Sequence, residues 1–377
     1  ITKATQFYAV RRKSNYYTVS YYLGNGSTNA AYQKLTQTVE EGTVVTFAKV
    51  PARTGYVNQG WSSKKNSEKA TAKAKCTVNK NITLYAVQKK AVQLTFHRCD
   101  GSTWQKTTLA KGSSYSLPGV RDAEGYTFMG WSTKPMQSVS PQYEAEEKIT
   151  VNGNVDLYAV VFNRTTETDL TEDQLPQVDI YKYKQVIFVG DSRTEFMENV
   201  LTGMGESATK NVKFVCSAGK GLDWFTTTGW AQLYSIVQHD SNSILSKKTA
   251  VIFNFGVNDL SKSADYAEYY NWIAPQLKSK GCELYFMSVN PVNRLMLPNA
   301  GRADRSEAAV RSFNQYMKAN LSSAYTYIDM YSYLKSTGYS FASDHYGTGT
   351  VDDGLHYTTR TYKRIFAKCM DSLRVPA

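Results

Sequence analysis

Two short blocks of this sequence hold the side chains that nucleophilic acyl transfer needs. Gly190-Asp191-Ser192-Arg193 directly follows the apolar run Val186-Ile187-Phe188-Val189. A serine hydroxyl is a weak nucleophile until a base removes its proton, and a sharp exit from strand to helix lets the hydroxyl and its own backbone N–H face a substrate together. Taken alone, the Gly-Asp-Ser tripeptide serves equally well as a turn or a helix N-cap. Val351-Asp352-Asp353-Gly354-Leu355-His356-Tyr357, near the C-terminus, can supply the base. A carboxylate three residues before a histidine can accept the Nδ1 proton, fixing the tautomer and leaving Nε2 to take the proton of the serine. The chain has only four histidines, and the spacing favours Asp353 with His356 over Asp352 and His345.

Two further blocks can stabilise the negative charge such an attack creates. In Cys216-Ser217-Ala218-Gly219-Lys220-Gly221 a glycine can turn an unobstructed N–H toward an oxyanion, and in Gly256-Val257-Asn258-Asp259 the asparagine amide can donate to the same oxygen. Both are also ordinary turn sequences. Arg193, Trp224 and Phe225 are candidates to flank the acyl or leaving group; core packing is the alternative for the two aromatics, and a solvated or paired state for the arginine.

Positioning these blocks requires elements that bring them to one edge. Apolar runs at 186–189, 212–215, 250–255, 283–287 and 325–328 read as strands of a buried parallel sheet. Helical patterns at 264–280, 305–321 and 358–373 lie between and after them. Alternating strands and helices predict a three-layer α/β/α, flavodoxin-like sandwich with five parallel strands, whose chemistry sits at the carboxyl ends of the strands.

The first half has another texture. Gly55-Tyr56-Val57-Asn58-Gln59-Gly60-Trp61-Ser62 is answered 70 residues later by Gly125-Tyr126-Thr127-Phe128-Met129-Gly130-Trp131-Ser132, and Leu84-Tyr85-Ala86-Val87 is answered by Leu157-Tyr158-Ala159-Val160. Phe7-Tyr8-Ala9-Val10 is the same ending once more. Alternating stretches such as Tyr17–Tyr22 and Val92–Phe96, separated by Gly/Asn/Ser clusters, predict small β-rich modules whose repeated Tyr and Trp fill a core. The expected organisation is a truncated repeat remnant at 1–14, repeats at 15–90 and 91–163, a Thr/Asp/Glu-containing linker at 164–178, and the α/β domain at 179–377.

Charge separates the halves. Of 44 Lys/Arg and 32 Asp/Glu, residues 1–100 hold 16 and 4, so the whole excess of +12 is N-terminal. That stretch can adhere to an anionic cell-wall polymer, although solvated lysines without a partner are the plainer reading. No nucleic-acid module is recognisable. Five scattered cysteines form neither a C-x-x-C nor a zinc spacing with histidine, so no metal or other cofactor is expected. No apolar run reaches the roughly 18 residues of a membrane helix.

The four C-terminal blocks, in this order, resemble the SGNH (GDSL-like) hydrolases. That resemblance implies a serine esterase or acyl hydrolase with Ser192 as nucleophile, Asp353 and His356 completing the triad, and the N–H groups of Ser192 and Gly219 with the Asn258 amide as oxyanion hole. Arg193 departs from the leucine common in the first block, and Gly221 competes with Gly219. The N-terminal repeats resemble the Listeria/Bacteroides (internalin-type B) repeat, with Gln88 and Val161 where its final Trp would stand. This implies β-grasp-like modules of bacterial surface proteins, an extracellular or cell-surface setting, and further repeats or a signal peptide ahead of Ile1. The substrate expected is an acylated small molecule or glycan. The rival reading is an adhesin or cell-wall-binding protein with a degenerate hydrolase domain.

Overall fold

The computed structural model describes residues 6, 8, 13–179, 182–239, 248–297, 305–342 and 353–373. His345, Asp352 and most of Phe7–Val10 lie outside them. The chain divides into two compact units, one of residues 1–95, 105–115 and 150–155, the other of 96–104, 116–149 and 156–377.

In the first unit, β1 (Tyr16–Tyr22) leads through the short α1 (Ala30–Gln33) to β2 (Gln37–Glu40) and β3 (Thr43–Thr46), followed by β4 (Tyr56–Ser62), β5 (Lys75–Val78) and β6 (Ile82–His97). The Asn29 side chain caps α1 by accepting from the Ala31 and Tyr32 N–H groups. β1 pairs antiparallel with β2 and parallel with β6, β6 pairs antiparallel with β4, and β3 pairs antiparallel with β5. Alternation along these strands sends Val19, Tyr21, Trp61 and Leu84 into one core with Tyr32. The Trp61 indole donates to Ala48 O at 2.6 Å, which satisfies its one polar atom as it is buried.

The second repeat is carried by β7 (Thr103–Ala110), β8 (Ser113–Ser116), β9 (Tyr126–Ser132), β10 (Lys148–Val151) and β11 (Val155–Asn163). β9 and β11 pair antiparallel with a register shift between Val160 and Val161, and the Trp131 indole donates to Pro118 O at 2.8 Å.

The rest of the second unit is a parallel sheet in the order β13-β12-β14-β15-β16, made of β12 (Tyr183–Gly190), β13 (Val212–Cys216), β14 (Lys248–Asn254), β15 (Cys282–Met287) and β16 (Tyr325–Ile328). The apolar runs are continuous because helices cover both faces. Ile187, Val251 and Phe286 face one layer, built from α4 (Leu222–Trp224) running through a π-helical turn into α5 (Trp230–His239), with α6 (Ser263–Ser279) and α7 (Glu307–Asn320). Phe188, Ile252 and Met287 face the other, with α2 (Ser192–Met204), the short α3 (Glu206–Thr209), α8 (Met330–Thr337) and α9 (Thr359–Ser372). All five cysteines are free, Cys282 and Cys369 being buried.

Residues 164–178, expected as a linker, are instead packed against the α/β domain. Leu175 and Val178 are buried in its core. Glu167 is buried as well, accepting from Arg364 at 3.0 Å and Ser340 Oγ at 2.6 Å. One buried carboxylate and two isolated apolar residues leave no periodic signal, so composition alone misreads the segment.

Candidate active site

Each chemical block leaves the same sheet edge. Gly190, the last residue of β12, pairs with Cys216 at the end of β13 and with Asn254 at the end of β14. The loops after all three strands therefore start side by side, as the carboxyl edge of an open parallel sheet requires. A side chain at Gly190 would place its Cβ 2.0 Å from Thr194 Oγ1, so only glycine lets α2 begin this close to the strand. Asp191 is the N-cap of α2, accepting the Arg193 N–H at 3.0 Å, and Ser192 is the first helical residue. Burial pushes the Asp191 carboxyl up to about 6, against the opposing pull of Arg193 and Arg305.

Ser192 and His356, 164 residues apart, meet: His356 Nε2 lies 2.8 Å from Ser192 Oγ. On the other side of the ring, Nδ1 is 2.5 Å from Asp353 Oδ2, while Asp353 Oδ1 accepts the backbone N–H groups of Leu355 at 2.8 Å and His356 at 2.7 Å. The carboxylate thus fixes both the ring tautomer and the turn that carries the ring. Burial by itself would raise the Asp353 carboxyl, but these hydrogen bonds outweigh it and hold the group below the ordinary carboxylate range. Phe196 of α2 packs edge-on against the imidazole, ring centroids 4.8 Å apart. This arrangement can pass a proton from the serine hydroxyl to the imidazole.

In the third block, the Asn258 amide Nδ2 donates to Lys220 O at 2.7 Å, which ties the loop after β14 to the loop after β13. Its Oδ1 accepts from the guanidinium of Arg305, a buried residue. Gly219 has φ of +69°, and a Cβ there would meet nothing within 4 Å. Gly221 has a different reason for lacking a side chain: its Cβ would lie 2.4 Å from Asp259 Oδ2, an atom that accepts the Leu222 N–H at 2.9 Å.

Two residues named as candidates to flank the substrate make other contacts. Arg193 is not solvated but 2% exposed. It donates to three backbone carbonyls, Leu355 O at 3.0 Å, Asn290 O at 3.0 Å and Pro291 O at 2.9 Å, clamping the helix of Ser192 to the loop of His356. Trp224 packs against the core with its ring 6.0 Å from Phe255, and Phe225 is fully buried there, as their packing alternative held. Pattern reading missed Arg305 and Asn293. The Asn293 N–H donates to Gly354 O at 2.8 Å, while its side-chain amide donates to Val120 O and Asp122 Oδ1. Neither residue belongs to a block, and only the fold brings them near one.

Comparison with known proteins agrees with this architecture. Residues 186–369 match the GDSL-like Lipase/Acylhydrolase family, and residues 17–87 and 93–160 each match the Listeria-Bacteroides repeat domain. Similar solved structures include a Bacteroides fragilis protein assigned as an acylhydrolase (16% identity, 53% of this chain and 92% of that one, TM-score 0.36). Two others are the catalytic domain of a Streptococcus pneumoniae peptidoglycan O-acetyltransferase (16%, 51% and 92%, 0.31) and a Geobacillus stearothermophilus acetylxylan esterase (11%, 52% and 96%, 0.32). No curated protein gives a significant match to the chain. Residues 186–369 thus carry a GDSL-like Lipase/Acylhydrolase domain, preceded by two Listeria-Bacteroides repeats.

Proposed function

We propose that the C-terminal domain cleaves a short acyl ester, such as an O-acetyl group on a glycan, through a Ser192–His356–Asp353 triad. The relay from Asp353 through His356 to Ser192 Oγ, with every contact at hydrogen-bond distance, is the observation that carries this reading. Ser192 Oγ attacks the ester carbonyl carbon as His356 Nε2 takes its proton. The tetrahedral intermediate expels the alcohol, to which His356 returns the proton, leaving an acyl-enzyme. Water, activated by the same nitrogen, then releases the acid; an acceptor alcohol in its place would make the reaction a transfer.

The N–H groups of Ser192 and Gly219 and the amide of Asn258 are assigned to the oxyanion, each lowering the barrier by on the order of 2.7 to 4 kcal/mol. Gly219 is favoured over Gly221 because contact with Asp259 already explains the latter. Arg305 acts as a positioning residue. With the guanidinium on Oδ1, both amide hydrogens of Asn258 must point away from it, one toward Lys220 O and the other available to substrate.

The repeats would present this domain at a bacterial surface, and the basic stretch 1–100 would hold it on an anionic wall polymer. The test uses the full chain on p-nitrophenyl esters of increasing acyl length and on acetylated glycans, beside Ser192→Ala and His356→Ala. Loss of turnover in both variants with the fold intact is expected. An inert folded wild type on every ester and glycan would overturn the proposal, and retention on wall material that does not fall with salt would overturn the tethering role.

A further inference from the structure

The second repeat contains a cleft at a place where the first repeat carries hydrogen-bonded side-chain amides. In the first, the cross-strand pair Asn58–Gln88 lies beside the shared tryptophan. Asn58 Nδ2 donates to Val50 O at 2.7 Å, and Gln88 Nε2 donates to Asn58 Oδ1 at 2.7 Å and Pro51 O at 3.1 Å. The two amides plug the space, and the Arg53 guanidinium covers the Tyr56 ring at 3.8 Å. In the second repeat the pair in the same register is Phe128–Val161, which offers no polar plug. What opens there is a cleft of about 230 Å³ lined by Trp104, Tyr126, Phe128 and Trp131, with Arg98 and Arg121 at its edge.

Three features define what would fit. Trp104 and Tyr126 are 40% and 42% exposed, and the Trp104 ring stacks on Trp131 at 5.9 Å with 11° between planes, so a flat aromatic wall is open to a ring-shaped ligand. Two of the nearby acids are committed elsewhere, Asp122 to Arg164 at 2.7 Å and Asp156 to His97 at 2.9 Å. Arg98 donates to Ser102 Oγ at 3.4 Å and lies near the Asp100 carboxylate, whereas Arg121 has no ion pair among the described residues. An apolar wall beside the Arg121 guanidinium recognises a ring bearing an anion. A polar rim excludes a purely apolar occupant.

We infer that this cleft binds one acidic sugar ring, a pyranose carrying a carboxylate, with its C–H face on Trp104 and its carboxylate on Arg121. The inference extends the reading of the substrate as an acylated glycan, since the cleft would seize the same polymer that the hydrolase domain edits. Its test does not involve hydrolysis, so either can fail alone.

Cys99 lines the same cleft and is the exposed one of the five cysteines, which makes it a reporter. The full chain is labelled with a maleimide while being titrated with glucuronate oligomers, with neutral glucose oligomers and benzoate as controls, and tryptophan fluorescence is followed in parallel. Glucuronate oligomers are expected to slow labelling and change the fluorescence, glucose oligomers much less. Arg121→Ala should weaken protection about tenfold, the size of one charge-assisted contact. Phe128→Asn with Val161→Gln, which restores the plug of the first repeat, should abolish it, while Ser192→Ala should leave it unchanged. Protection by benzoate equal to that by glucuronate would overturn the sugar assignment. Absence of protection, or protection that survives both cleft variants, would overturn the site.

Discussion

The two repeats share a scaffold and differ in what they do with it. In both, a buried indole donates to a loop carbonyl, Trp61 to Ala48 and Trp131 to Pro118, and in both the tryptophan carbonyl accepts two N–H groups from the chain beyond it. Past that point the sequences reverse in charge: Ala72-Lys73-Ala74-Lys75 in the first, Glu144-Ala145-Glu146-Glu147 in the second. Lys73 and Lys75 are exposed. Glu144 and Glu307 hold the buried Lys335 ammonium at 2.8 and 3.3 Å, and Glu146 holds Arg294 at 2.9 Å. Lys335 also donates to Met129 O, and the two carboxylates keep it protonated despite its burial. Met129, Val160 and Phe162 belong to the same core as α8 and α9. One repeat family thus supplies a lysine-studded module and, with a different sequence, a module whose side chains enter the core of the second unit.

The comparison breaks most easily at Lys335. Lys335→Met leaves two buried carboxylates facing each other and should destabilise the second unit by about 3 to 5 kcal/mol, read as a lower denaturation midpoint for esterase inactivation. A smaller contrast comes from the shared tryptophan. Trp61→Ala and Trp131→Ala each create a cavity costing up to roughly 3 to 5 kcal/mol, yet only Trp131→Ala should shorten the thermal half-life of hydrolysis. Equal half-lives would mean that the second repeat is as separable as the first.

Next comes pH. The Asp191 carboxyl is raised from its ordinary 3.8 to about 6, so the contribution it makes is full below pH 4 and is lost as pH rises through 6. Asp191→Asn should therefore raise the unfolding midpoint of the second unit at pH 8, by an amount approaching roughly 3 kcal/mol, and leave it little changed at pH 4. Asn can still cap α2. The smallest effect is expected from Lys73→Glu, a solvated position worth within about 0.5 kcal/mol of stability; its visible consequence should be weaker, less salt-sensitive retention on anionic polymer.

Much of this was legible in the sequence, and the reason is burial on both sides of the sheet. Runs such as Val186–Val189 and Ala250–Phe253 are apolar without interruption because both faces are covered, and each marks its strand. Asp353 and His356 could be paired because their contact is made within one turn. What could not be read were contacts whose partners are far apart in the chain. From sequence Arg193 reads as solvated, paired or flanking the substrate, because its partners are carbonyls at 290, 291 and 355, which no side-chain pattern encodes. Arg305 had the same defect, lying 47 residues from Asn258. The supposed linker concealed Glu167, whose partners Ser340 and Arg364 lie on other elements.

The Arg193 clamp also bears on how the protein opens and closes. One guanidinium ties the start of α2 to two loops that are otherwise joined by the Asn293 N–H to Gly354 and by the Tyr357 hydroxyl to Pro291 O. Strands and helices can form from nearer contacts, whereas this knot closes only when chain segments more than 90 residues apart have met, and closing such long loops is the slow part of folding. The same linkage makes the loops at 290–293 and 353–357 a single cooperative unit, so their amides should exchange with solvent together, through one shared opening. The nucleophile and its base would then be gained and lost as one event.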